Sequence, residues 1–509
     1  MRAKTSFKNV VASTILNVVT ILAGLIAQAI FVSHLGVTYL GVNSLFTNLI
    51  SVLGVVEVGL GSAIIFSLYK PLAERDVERI KSLMAFYKSG YRIVAFIVLV
   101  LGLIMMPFLK SIVGDASIDV SLQLIFGLFL ADVIVSYLFS YKRSILIADQ
   151  KQYIFSGIHV GYTILLNTLQ ILILVLTGNY ILYLVIKVIV RFIENIVINV
   201  IIDRRYPLVV QNEVAPLEKS IKQDILRKVK GLFFHKIGAF VVNGTDNIVI
   251  SVFFGIKVVG LYSNYFLIIN AVNVLITQAF SAITANVGNL LVLKNEKQTF
   301  AAYKKVRFAN FWLSSLVSIG VLVCLESFIS LWVGSEYLLP FGVLLALVAN
   351  LYLTLMRASV QSFKDAAGIF HEDRYIPVVE SLVNVLASLV LLHFFGLAGV
   401  FMGTICSSLV IHLFSYPHFV YMKLFGESRR SYYMEFFKHL IVVSFAGALT
   451  LGITRMFYVD NVWMRLIIDI LATLIVPNTL LYAMYHRTGE LKYFMKLAVK
   501  IMYKIKHYV

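Results

Sequence analysis

Apolar stretches of membrane-spanning length follow one another along this chain, and lysine and arginine fall almost entirely into every second gap between them. No soluble fold produces that pattern. A hydrocarbon core about 30 Å thick needs roughly 20 apolar residues per helix, and about 14 stretches meet that requirement. The amino terminus (Arg2, Lys4, Lys8), the gap after the second stretch (Lys70, Arg75, Arg79, Lys81, Lys88, Arg92) and each alternate gap thereafter are basic. The intervening gaps hold little beyond Lys110, Lys257, Arg455 and Arg465. Cations collect on the cytoplasmic side of membrane proteins, so a multi-pass membrane protein with both termini cytoplasmic is expected.

Composition supports the same class. Hydrophobic residues make up 60% of the 509 and charged residues 14%, with a mean hydropathy of +0.89. The net charge of +18 is the loop asymmetry itself, spread over short segments. It forms no single patch, so nucleic acid is not an expected partner. The first apolar stretch, 9–32, is too long for a signal peptide, lacks a small-residue cleavage pattern and leads straight into another span. Cys324 and Cys406 both fall inside apolar stretches and read as packing residues.

The second half repeats the first. A shift of 219 positions sets Gly36 on Gly255, Gly41 on Gly260, Ser44 on Ser263, and Ser62, Ala63, Ile64 on Ser281, Ala282, Ile283. With six spans per repeat, the halves are parallel and related by an axis along the membrane normal, an arrangement of transporters that bind cargo between halves. The expected organisation is an all-α chain: a six-helix bundle at 1–202, a cytoplasmic linker at 203–236, a second six-helix bundle at 237–422, two additional helices at 423–485 and a basic tail at 486–509. After Pro216 the linker carries Leu217, Ile221, Ile225 and Val229 on one stripe, which predicts a short amphipathic helix on the inner leaflet. The tail sets Leu491, Phe494, Met495, Ala498, Val499 and Met502 against Lys492, Lys496, Lys500, Lys504 and Lys506, the pattern of an anchor for anionic lipid.

Catalytic chemistry has no foothold. The chain lacks a Walker-type phosphate loop, a paired-histidine zinc motif and a nucleophile elbow, and its external gaps are short, so no enzyme activity, cofactor or metal is expected. Lone histidines such as His159 and His412 read as packing residues.

Ionisable side chains at membrane depth are the informative ones, because a charge at a helix centre costs about 2.5–3.5 kcal/mol on insertion scales. They are Glu57, Asp132, Lys187, Arg191, Glu194, Asp246 and Glu380. Lys187, Arg191 and Glu194, four and three apart in the span 181–201, share one helical face. Two readings stand for that face: an Arg191–Glu194 ion pair that holds the bundle together, or a lining in which Lys187 and Arg191 meet an anionic cargo. Arg357 and Lys364 offer a matching contribution from the second half, unless both snorkel to the inner surface. Glu57, in a glycine-rich stretch, and Asp246, with Asn247 beside it in a polar stretch of the seventh span at 237–255, suit proton or Na⁺ coupling or buried hydrogen bonding. Asp132, Glu194 and Glu380 are further polar groups of such a cavity. The pairs Gly157 with Gly161 and Gly399 with Gly403 have the spacing of close helix packing.

Several runs resemble one family. GVNSLF at 41–46, EVGLGSAI at 57–64, YKPLA at 69–73, TDNIVIS at 245–251, GLYSNY at 260–265, LWVG at 331–334 and ESLVN at 380–384 are similar, in order and spacing, to bacterial flippases for lipid-linked polysaccharide repeat units. These are the polysaccharide transporters of the multidrug, oligosaccharidyl-lipid and polysaccharide exporter superfamily. The resemblance implies two six-helix bundles in a V shape, carrying an undecaprenyl-pyrophosphate-linked oligosaccharide to the outer leaflet by alternating access coupled to an H⁺ or Na⁺ gradient. It also implies membrane lipids, a polysaccharide polymerase and glycosyltransferases as partners. Capsule, exopolysaccharide and teichoic-acid units are all carried within the family. A multidrug exporter of the superfamily and a non-transporting scaffold for polysaccharide synthesis are the alternatives; a drug exporter would line its cavity with carboxylates and aromatics.

Overall fold

The computed structural model describes the backbone of residues 2–57, 60–114, 118–207, 216–293, 295–369, 372–457 and 459–508, and the side chains of most of them. Among these residues the secondary structure is helical, with short connecting turns and no strand. The helices are α1 (Arg2–Leu53), α2 (Leu60–Glu74), α3 (Val77–Met105), α4 (Leu109–Val113), α5 (Leu122–Ala148), α6 (Gln152–Thr177), α7 (Tyr180–Arg205), α8 (Lys219–Phe254), α9 (Ile256–Leu293) and α10 (Glu296–Trp332). There follow α11 (Phe341–Ala366), α12 (Ile376–Phe395), α13 (Leu397–Val410), α14 (Lys423–Phe425), α15 (Arg429–Met456), α16 (Val462–Tyr485) and α17 (Gly489–Tyr508). A π-helical stretch, Ile411–Met422, joins α13 to α14 around Pro417, which cannot donate to an α-helical ladder.

Eleven of the described helices are long and apolar enough to cross a membrane. The shortfall from fourteen has particular causes. The predicted spans 9–32 and 41–68 fall in one helical run, Leu16–Glu57, which Gly36 divides into two helices and which ends in a 3₁₀ turn, Gly54–Glu57, at the glycine-rich stretch. Beyond it α2 has only 15 residues. Helix α7 carries three charges in its middle, and the apolar part of α8 is the short segment Gly244–Phe254. Side chains such as Phe96, Ile104, Leu176 and Phe394 stand outward, as a hydrocarbon solvent allows and water does not. The linker differs from expectation too. Its helix starts at Lys219 and runs unbroken to Phe254, because no proline interrupts the segment. Ile225 is its buried contact. The side chains of Lys228 and Lys230, of Ser281 and Ala282, and of Met502, Lys504 and Lys506, together with Val58 and Gly59, lie outside the described residues.

The chain divides into two compact units. One is built from residues 12–263 with 377–385, the other from residues 1–11, 264–376 and 386–509. In the latter, α10 and α11 are the most enclosed helices. Phe308, Phe311, Tyr352, Ala446, Leu481 and Tyr485 pack α10 and α11 against α15 and α16. The predicted close packing of Gly399 and Gly403 is present there: a Cβ on either would collide with Leu391 or Ser388. Gly157 and Gly161, in the other unit, face open space.

The repeat is visible as geometry inside the unit of residues 12–263. Gly36 (φ 80°, ψ 174°) kinks α1, and its counterpart Gly255 (φ 85°, ψ 161°) separates α8 from α9 in the same conformation. Both lie in the left-handed half of φ space, where a side chain is penalised. One turn later the two copies cross. A Cβ on Gly41 would collide with the carbonyl of Ile256, and a Cβ on Gly260 with the carbonyl of Val37. Val37 and Ile256 are themselves repeat equivalents. The Ser263 hydroxyl donates to Ser44 Oγ at 2.6 Å. Residue meets counterpart at each step, so a pseudo-two-fold axis passes through this crossing.

Candidate functional site

Three helices of the unit of residues 12–263 bring the predicted charges together. Gly178 ends α6, and Asn179 caps α7 by accepting from the Ile181 and Leu182 amides at 2.9 and 3.1 Å. The face of α7 that bears Lys187, Arg191 and Glu194 turns toward α5 and α6. From α5, Asp132 accepts from Arg191 Nε at 3.2 Å through Oδ1, and Lys187 Nζ stands 3.7 Å from Oδ2. Arg191 Nη1 donates to Glu194 Oε2 at 2.8 Å. The other Glu194 oxygen meets His159 Nδ1 of α6 at 2.9 Å. The expected Arg191–Glu194 pair is therefore present, as one link of a chain running Lys187, Asp132, Arg191, Glu194, His159.

Each cation also rests on an aromatic ring. Lys187 lies 4.5 Å from the Phe129 ring, Arg191 4.4 Å from Tyr162 and Arg143 5.4 Å from Phe155. His159 stacks between Phe155 and Tyr162. Such contacts contribute roughly 0.5–2 kcal/mol each, more as water is excluded. They fix the cations without neutralising them. Side-chain exposure is uneven along the chain of contacts: Lys187 is 24% exposed, Asp132 14% and Arg191 18%, Glu194 is fully enclosed, and His159 is 47% exposed. The cluster is enclosed at its carboxylate and open at Lys187 and His159.

Sequence reasoning missed four members. His159 was expected to pack; it reaches a carboxylate instead. His412 does pack, bonded to the Leu353 carbonyl at 3.0 Å and buried. Arg143, Tyr162 and Asn195 were not singled out. Their signal was spacing: Arg143 lies eleven residues, three turns, beyond Asp132, and His159 and Tyr162 share a face with Phe155.

The other predicted residues lie elsewhere. Glu57, in the 3₁₀ turn, accepts from the Tyr91 hydroxyl at 2.9 Å. Asp246 and Asn247 sit on α8, where Thr245 donates to Asn384 of α12 at 3.5 Å. Asn247 is buried with its Oδ1 unbonded, and Glu380, one turn before Asn384, is buried. Arg357 and Lys364 belong to the other unit. Lys364 is 6% exposed and bonded to Asp373, which also accepts from Ser415 at 3.4 Å. The chain turns back through Gly368 after α11 and delivers that aspartate, so Lys364 is held inward and does not snorkel.

No protein-family model and no curated protein matches the chain. Its fold is that of solved transporters. A lipid II flippase, MurJ, in an inward closed conformation superposes with a TM-score of 0.68 at 14% identity, covering 94% of this chain and 99% of the other. An inward-facing multidrug resistance MATE family transporter of the MOP superfamily gives 0.60 at 18% identity, covering 78% and 95%. An outward-facing one gives 0.51 at 18% identity, covering 80% and 93%.

Proposed function

We propose that this protein is a flippase for undecaprenyl-pyrophosphate-linked polysaccharide repeat units, moving them from the inner to the outer leaflet by alternating access. The observation that carries the reading is the cluster of Lys187, Arg191 and Arg143, three cations held on aromatic rings against two carboxylates, with its open end at Lys187. A surplus of cations at membrane depth suits a diphosphate and repels a cationic drug. The cover of 94% of the chain by the lipid II flippase, against 78% by the drug transporter, supports the same choice. Fourteen spans, both termini cytoplasmic and parallel six-helix halves complete this reading. Asp246, Asn247 and Glu380 are proposed as the H⁺ or Na⁺ coupling group, with Glu57 as a further polar residue of the path. Lys364 is left out of the anion contacts because Asp373 already holds it.

A multidrug exporter is the second reading, favoured by the shared fold and by Asp132 and Glu194. Reconstituted liposomes separate the two. Movement of a fluorescent undecaprenyl-pyrophosphate oligosaccharide is expected; efflux of a cationic dye without glycan movement would replace the flippase by a drug carrier.

A further inference from the structure

The three cations of the cluster are not equivalent. Lys187 and Arg191 share Asp132, and Arg191 also holds Glu194. Two cations on two carboxylates leave no net charge. Arg143 stands beside them with no carboxylate within ion-pair distance among the described residues. Its Nη2 donates to the Asn195 side-chain oxygen, its guanidinium rests on Phe155, and its Nε is buried with no hydrogen-bond partner. The Asn195 amide in turn donates to the Val135 carbonyl at 3.4 Å, so Asn195 is a positioned neutral acceptor. Lys142, the neighbouring cation, is tied to Asp203 at 2.5 Å.

A buried donor left unmade on a charged group is costly, the more so where the charge has no direct ion pair and only the more distant Glu194 and Glu57 to offset it. An oxyanion placed against the guanidinium edge removes both costs together. The planar fork matches two phosphate oxygens, which an ammonium on a flexible stem does not. We propose that Arg143 is the residue that receives the anionic group of the cargo, two oxygens of its diphosphate, while Lys187, Asp132, Arg191 and Glu194 form the neutral frame that holds the pocket. This rests on the flippase reading and names within it a specificity-determining residue outside the charges of α7.

The test is equilibrium binding to the full chain in lipid nanodiscs, with a fluorescent polyprenyl-diphosphate oligosaccharide and a neutral polyprenyl glycoside of the same length. Arg143→Gln is expected to weaken diphosphate binding at least about tenfold, the loss of a charge-assisted bond, and to leave glycoside binding unchanged. Arg143→Lys keeps the charge and loses the fork, so its diphosphate affinity is expected between those of wild type and Arg143→Gln. It also carries the test if the glutamine variant does not fold. Wild-type diphosphate affinity in a folded Arg143→Gln, or in Arg143→Lys should it alone fold, would overturn the assignment and leave the flippase reading intact. If wild type binds the glycoside and the diphosphate alike, or binds neither and expels a cationic dye, the flippase reading fails and the assignment with it.

Discussion

Each compact unit sets an arginine among aromatic rings and carboxylate, and the two sites differ in what remains open. In the unit of residues 264–376 and 386–509, Arg307 is 1% exposed. It bonds to Tyr421, reaches Glu435 at 3.1 Å, and is surrounded by Tyr303 and Tyr432. Phe363 and Phe425 close the surroundings. In the other unit, Arg191 has a comparable ring and two acids, yet the cluster continues to His159, nearly half exposed, and to Arg143 with an unbonded Nε. Depth and charge alone do not identify a site. The first arrangement is a completed bond network that fastens α10 to the π-helical stretch and α15, and the second has an open end and a guanidinium donor left unbonded.

Removing the arginine from each cluster is the strongest way to break that contrast. Arg307→Ala removes the cation beside Glu435 and the partner of the Tyr303 and Tyr421 hydroxyls, and is expected to cost on the order of 3 kcal/mol, read as a large fall in the thermal midpoint of the purified protein. An unchanged midpoint would mean the network is decorative. Arg191→Ala is expected to lose glycan export while the protein remains folded and inserted. Asp132 keeps Lys187, and Glu194 keeps His159, so the stability loss is smaller than for Arg307. Normal export by a well-expressed Arg191→Ala would remove this residue from the site.

A double variant sharpens the comparison. If Arg191 serves chiefly to neutralise Glu194, then Arg191→Gln with Glu194→Gln restores the charge of the frame and should export several-fold better than Arg191→Gln alone. Equal export by the two would assign Arg191 a direct contact with cargo. The smallest effect is expected at Asp149, in the turn between α5 and α6. Burial raises its pKa, but hydrogen bonds from Lys151 and Tyr206 outweigh burial and hold the carboxyl below its ordinary value. A carboxyl depressed on folding stabilises the protein above its unfolded pKa of about 3.9, and that stabilisation fades as the pH falls through the folded value. Asp149→Asn should flatten the acid limb of the stability profile slightly; an identical limb would show the turn contributes nothing.

The sequence disclosed whatever depends on neighbours along one helix. The 187, 191, 194 face and the 219-residue repeat are spacings, and both returned as geometry. Partners from other helices were hidden. Nothing local distinguishes His159, which meets Glu194, from His412, which packs, and Asp373 became relevant to Lys364 only when the chain turned at Gly368. The length of the linker helix was hidden for a related reason: amphipathic periodicity marks a helix, but only the absence of a breaker before the apolar segment decides that it continues to Phe254.

The crossing at Gly41 and Gly260 has a consequence for how such a chain arises. Residue meets counterpart in both directions, which is the form of an isologous contact between two identical protomers. Two half-length chains joined by that seam would associate in proportion to their abundance. Fusing them makes the encounter intramolecular and independent of concentration, and it also frees the copies to diverge everywhere except at the seam. There each glycine is the clearance for the other copy's backbone, so a side chain acquired at position 41 or 260 has to be accommodated by the opposite half. Ser44 and Ser263 are bound by the same constraint.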